Sequence, residues 1–136
     1  MLNIKVKDVM QRKLPNIKPD TEMTIAIAEL QKFKLIGAPV FDNEKCVVGF
    51  ISEQDLLKPL MHNSYFCDGI VKVSQLMKTD VITVSGHTNI TELAQNMITG
   101  KPKNYPVVEG DKIIGIINRA DVLNALYDNY LSCETH

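Results

Sequence analysis

Met23, Ala26, Ile27 and Leu30 stand at i, i+3, i+4 and i+7, the spacing of one helix face. Ile90, Leu93, Ala94 and Met97 repeat that spacing in the second half of the chain. After each amphipathic stretch the pattern changes. Pro39-Val40-Phe41 and Pro106-Val107-Val108 lead into polar turns (42–45 and 109–112) and then into apolar runs containing Gly49 or Gly115, which predicts a strand, a hairpin turn and a second strand. Helices are expected next, from about Glu53 to Met61 and from about Arg119 to Leu131. Short strands at Asn16–Lys18 and Ile82–Ser85 are expected to open the two halves.

These parallels reflect an internal repeat. At an offset of 67 residues, Val6, Met10, Thr21, Thr24, Lys34, Pro39 and Val40 face Val73, Met77, Thr88, Thr91, Lys101, Pro106 and Val107. One residue is lost in the turn near 43–45, and at an offset of 66 Gly49, Ile51, Asp55, Leu57 and Leu60 face Gly115, Ile117, Asp121, Leu123 and Leu126. The expected fold is mixed α/β (α+β), with two modules at 1–66 and 67–136 and a linker at about 62–71. Each module would hold a small three-stranded sheet and two helices. Such a unit buries too little surface to be secure alone, so the halves are expected to pack together.

Composition narrows the possible functions. Apolar residues make up 45% of the chain and charged residues 23%, as in an ordinary folded domain. Fifteen basic against sixteen acidic side chains give a net charge of −1, without the basic footprint of a nucleic-acid or anionic-membrane binder. The longest apolar runs are strand-sized, and the N-terminus lacks a secretory pattern. Cys46, Cys67 and Cys133 form no CxxC pair, so neither a disulfide framework nor a zinc site is expected. A cytoplasmic location fits. His62 and Cys67 do not make a metal site without further ligands nearby, and His87 reads as a surface residue in a turn.

The two motifs carry a family resemblance. Ala38-Pro39-Val40 followed by Gly49-Phe50-Ile51-Ser52-Glu53-Gln54-Asp55, and Tyr105-Pro106-Val107 followed by Gly115-Ile116-Ile117-Asn118-Arg119-Ala120-Asp121, closely resemble the CBS (cystathionine-β-synthase) domain. The resemblance covers nearly the whole chain. It implies a Bateman module: two CBS modules related by a pseudo-twofold axis, with clefts that commonly bind adenosine-containing ligands and with no catalytic domain. It also implies pairing into a homodimer, for which Ile25, Phe33, Leu57, Leu60, Leu123 and Leu126 are the candidate contacts.

The candidate ligand residues have plainer explanations beside the functional ones. Ser52 with Asp55, and Asn118 with Asp121, read as capping boxes at helix starts. The same positions suit a ligand, because free helix N–H groups favour a phosphate and a carboxylate can accept both hydroxyls of a ribose. Arg119 opposes the helix dipole unless a phosphate sits there; Glu53 is its counterpart in the first copy, so the two clefts are expected to differ. The resemblance adds Asn16 and Thr83 on the first strands, and Ile36, Gly37, Ala38, Lys103, Asn104 and Tyr105 before the prolines. Asn16 and Asn118 depart from the family's usual Thr and Ser/Thr. Tyr105 could stack on a base or simply belong to the core.

The expected function is therefore a regulatory sensor that binds AMP, ADP, ATP or a related adenosyl compound and signals to a protein partner. No cofactor is expected beyond such a nucleotide, which would be a regulatory ligand. The alternative is a ligand-free dimerisation scaffold. An enzyme using Cys67 as nucleophile is disfavoured, since nothing near it suggests an activating base.

Overall fold

The computed structural model describes residues 3–62, 69–100 and 104–134. Its elements run α1 (Val6–Val9), α2 (Met23–Phe33), β1 (Gly37–Phe41), β2 (Val47–Ser52), α3 (Glu53–Leu60), a 3-10 turn at Val73–Gln75, β3 (Val84–Ser85), α4 (Ile90–Ile98), β4 (Asn104–Glu109), β5 (Lys112–Asn118) and α5 (Arg119–Glu134). The mixed α and β class is as the sequence predicts. Residues 63–68 of the expected linker, Cys67 among them, lie outside the described residues.

The two sheets differ. The second is three-stranded in the order β3-β4-β5, with β3 parallel to β4, whereas the first contains only β1 and β2. The strand expected at Asn16–Lys18 is absent. Pro15 and Pro19 flank that stretch and supply no N–H donors, which shortens any ladder it could join. One bond survives, from the Phe41 N–H to the Ile17 carbonyl at 3.2 Å, and Ile17 is fully buried. The chain then turns, with the Lys18 N–H donating to Thr21 Oγ1 at 2.9 Å.

Two compact units emerge, cut differently from the sequence repeat. Module A comprises Lys13–Val81 with Asp111–Ile113; module B comprises the segment ending at Arg12, Ile82–Gly110 and Ile114–His136. Each half of the sequence thus gives its leading segment, here called its arm, to the unit built mainly by the other half. In module B the Val6 N–H donates to the Thr88 carbonyl at 2.8 Å; in module A the Val73 N–H donates to the Thr21 carbonyl at 2.8 Å. Val6 packs with Ile90, Leu93, Val107 and Ile117, and Val73 with Ile17, Leu30, Val40 and Ile51, all of them buried. Fully burying a valine stabilises by about 1.5–3 kcal/mol, so each arm contributes a core residue and not merely a surface tether.

The repeat glycines explain how the arms dock. Gln11 forms an antiparallel bridge with Ile116, and Lys78 forms one with Phe50. A Cβ on Gly115 would stand 2.7 Å from the Gln11 carbonyl oxygen and 2.8 Å from Met10 Sδ. On Gly49 it would stand 2.5 Å from Met77 Sδ and 2.9 Å from the Lys78 carbonyl oxygen. Only a residue without a side chain lets the arm backbone come this close.

Tyr105 is 3% exposed and belongs to the module B core. Its burial pushes the phenol above the ordinary value of 10.0, so in alkaline solution the unfolded chain gives up this proton before the folded one does. Stability is therefore expected to fall as pH rises from that ordinary value through the folded one. Denaturant melts compared across this range should show a steeper alkaline decline for the wild type than for Tyr105→Phe; parallel declines would contradict the assignment. Gly49→Ala and Gly115→Ala are each expected to cost about 1–3 kcal/mol through overpacking against the arm. Urea melts check this, and a loss no larger than that of an exposed glycine would show that the close approach relaxes freely.

Candidate functional site

In module A the site is built where β2 runs into α3. Ser52, the residue before the helix, receives the Asp55 N–H on its Oγ at 3.3 Å, while Asp55 Oδ2 accepts the Ser52 N–H at 3.0 Å and its hydroxyl at 2.9 Å. This is the reciprocal box expected from Ser-x-x-Asp. Strand register sets Gly37 opposite Ser52 and Ala38 opposite Ile51, and the Ile36 carbonyl accepts the Glu53 N–H at 2.9 Å. Ile36, Gly37, Ser52 and Asp55 are thereby brought together. Gly37 and Ala38 are buried, so of these three residues before β1's proline only the exposed Ile36 presents its side chain to solvent. Ile36 also borders an apolar groove of about 460 Å³ between α2 and α3, lined in part by Leu30, Leu57 and Leu60. Asn16 is exposed beside buried Ile17, and among the described residues it has no hydrogen bond to Ser52 or Asp55.

Module B repeats the box with different chemistry. The Asp121 N–H donates to Asn118 Oδ1 at 2.9 Å and the Asn118 N–H donates to Asp121 Oδ2 at 3.0 Å. The amide oxygen of Asn118 thus does the work of the serine hydroxyl, although Asn118 departs from the family pattern. Arg119 is the exposed first residue of α5, and among the described residues it makes no ion pair. Glu53 holds the matching place at the start of α3 and is also exposed. The first residues of the two helices therefore carry opposite charge. Thr83 is exposed and directly precedes β3, whose Val84 pairs with Val107, so continuing that register sets Thr83 level with Pro106. Asn104 opens β4 half-buried, and Lys103 lies outside the described residues.

One residue takes the plainer of its two expected readings, and another was not expected. Tyr105 is committed to the core, where it clusters with Ile90, Leu93 and Met97 of α4 and with Val6 and Met10 of the arm; base stacking is not available to it as placed. Gln11 was not anticipated at all. Its side-chain amide donates to Asp121 Oδ1 at 3.3 Å and Oδ2 at 3.2 Å, from the arm that the sequence repeat alone would assign to the other half. Gln11 is the repeat counterpart of Lys78, but which helix start each would meet is a non-local fact.

Among the described residues, Asp42, Glu44 and Cys46 place possible metal-ligand atoms within 4.8 Å of one another. Asp42 Oδ1 already accepts the Glu44 and Cys46 N–H groups at 2.9 Å, a side-chain-closed turn. Those bonds, the Cys46 one foremost, hold the Asp42 carboxyl below its usual range, while burial pushes the Cys46 thiol up. A raised thiol pKa is the reverse of what a thiolate ligand or nucleophile needs. His87 is a surface residue beside Glu109, at 3.8 Å. Among the described residues no helix is long and apolar enough to cross a membrane.

Comparison with known proteins places this geometry. The chain is 27% identical over 125 residues to an uncharacterized 17.7 kDa protein of Acidianus ambivalens, covering 91% of this chain and 74% of that one. The structure of a protein assigned to acetoin utilization (AcuB) from Vibrio cholerae matches with a TM-score of 0.85 and 26% identity over 99% of this chain and 98% of that one. CBSX2, a CBS-pair protein of Arabidopsis thaliana, has been solved in complex with AMP; that structure matches with a TM-score of 0.80 and 29% identity over 93% of this chain and 98% of that one. Other curated relatives are longer, and the chain spans 44% and 40% of two uncharacterized Methanocaldococcus jannaschii proteins. The CBS domain model matches twice, at residues 6–62 and 73–128, each match beginning at an arm and ending in or just past the helix that follows the capping box, and the chain belongs to the CBS domain family as a pair of such domains.

Proposed function

We propose that this chain is a regulatory module that binds an adenosine-containing ligand (AMP, ADP, ATP or a related adenosyl compound) at its helix-start carboxylates and signals its occupancy to a protein partner. The observation that carries the reading is the recurrence of one arrangement, an aspartate three residues after a capping Ser or Asn, at the start of α3 and of α5. A ribose diol fits such a carboxylate, and a phosphate fits the free N–H groups of a helix start. The AMP complex of CBSX2 supports the choice of ligand class. Arg119 favours phosphorylated ligands in module B, whereas Glu53 disfavours them in module A. The reading assigns Asn16, Thr83 and the backbone of 36–38 and 103–105 to the remaining wall of each cleft. Its role is regulatory, not catalytic.

A homodimer belongs to the same reading. Leu57 and Leu60 on α3, and Leu123, Tyr127 and Tyr130 on α5, are each about half exposed or more, more apolar helix surface than scattered exposed residues account for. Leu126, by contrast, is partly buried against the module B core and Phe33 is half-buried, so neither is a leading contact.

Calorimetric titration of AMP and adenosine tests the ligand reading. Asp121→Ala is expected to weaken binding more than tenfold, since a hydrogen bond to a charged group is worth about 1.5–3 kcal/mol, while loss of the capping box costs only about 1 kcal/mol of stability. Arg119→Ala should weaken AMP and spare adenosine. Unchanged AMP affinity in both variants, with Asp121→Ala merely melting earlier, leaves the box as a helix cap alone. Sedimentation at micromolar concentration should show a dimer that Leu57→Asp with Leu123→Asp dissociates; a wild-type monomer would refute the assembly.

A further inference from the structure

Asp121 is not free to meet a ligand. Asn118 N–H occupies one acceptor position on Oδ2 at 3.0 Å, and the Gln11 amide spans both oxygens at 3.3 and 3.2 Å. A carboxylate has about four such positions, so the two hydroxyls of a ribose cannot be accepted together, one on each oxygen, without disturbing Gln11. Its backbone cannot retreat easily: the Gln11 N–H donates to the Ile116 carbonyl at 2.8 Å, and its own carbonyl accepts the Ile116 N–H at 2.9 Å. Only the side-chain torsions can release the carboxylate.

Module A supplies the contrast. Asp55 uses Oδ2 for both Ser52 bonds, and among the described residues Oδ1 receives none. The position of Gln11 is held there by Lys78, whose backbone is fixed to Phe50 by bonds of 2.8 and 2.9 Å. Among the described residues Lys78 makes no hydrogen bond or ion pair with Asp55.

We infer that Gln11 is a specificity-determining residue of module B, an intramolecular competitor for the ribose diol at Asp121. The inference rests on the reading of Asp121 as the ribose acceptor. A diol that binds there displaces the amide, and the displaced side chain belongs to the arm, so occupancy of module B alters how the arm is held. In module A, among the described residues, Asp55 keeps one oxygen unblocked and has no such competitor.

The test is calorimetric titration of AMP and 2′-deoxy-AMP into the full chain carrying Asp55→Ala, which removes the module A acceptor. On that background Gln11→Ala is expected to tighten AMP by about two- to tenfold, the range of a solvent-screened hydrogen bond to a carboxylate. The gain should shrink with 2′-deoxy-AMP, which lacks one of the two competing hydroxyls, and vanish when Asp121→Ala is added. Equal or weaker AMP binding by Gln11→Ala, with Asp121→Ala still harmful, overturns the competitor and leaves the ribose reading standing. AMP binding indifferent to Asp121→Ala removes the ribose reading itself, and the competitor with it.

Discussion

Val6 and Val73 each disappear from solvent inside a module that the sequence repeat does not assign to them. This exchange of arms is the constraint on which the other features rest. Each arm closes the side of a small core that a two- or three-stranded sheet and its helices leave uncovered. Its backbone can come close enough to bridge the strand only because Gly49 or Gly115 offers no side chain at the crossing. The bridges then lock the arm in register, which fixes where Gln11 and Lys78 stand.

The site inherits that register. A helix cap is a local device and would form in either half without help, as the Ser52–Asp55 and Asn118–Asp121 boxes do with different capping groups. What the arm adds is a neighbour for the carboxylate. In module B that neighbour is an amide that reaches Asp121; in module A the same place is held by a lysine. With Glu53 and Arg119 at the helix starts, two copies of one motif have acquired unlike surroundings, although the motif residues themselves barely differ.

Much of this was legible in the sequence because it is written locally. The faces of α2 and α4, the Pro-Val strands, the hairpins and both boxes follow from periodicity and spacing over a few residues. Three things were not settled by that reading, the first by a local count left undone and the other two by non-local packing. Asn16–Lys18 has the look of a strand until the donors missing at Pro15 and Pro19 are counted against a ladder. Tyr105 is amphipathic, and only tertiary packing decides that its ring is core. The offset that pairs Val6 with Val73 and Met10 with Met77 reveals that each half owns an arm, but a repeat is silent about which copy an arm joins.

The exchanged arms also set an order of events during synthesis. Val6 must wait for Thr88 and Ile90 to be made before it can be buried, whereas the main segment of module A, Lys13–Val81, is complete before either, with only residues 111–113 still to come. Contacts so distant in sequence slow folding through the entropy of loop closure. The arm carrying Val6 therefore keeps an apolar side chain and unpaired backbone exposed until the segments that bury it have been made. Most of the first half would gather early around the arm of the second, and the first arm would find its place only as module B is assembled.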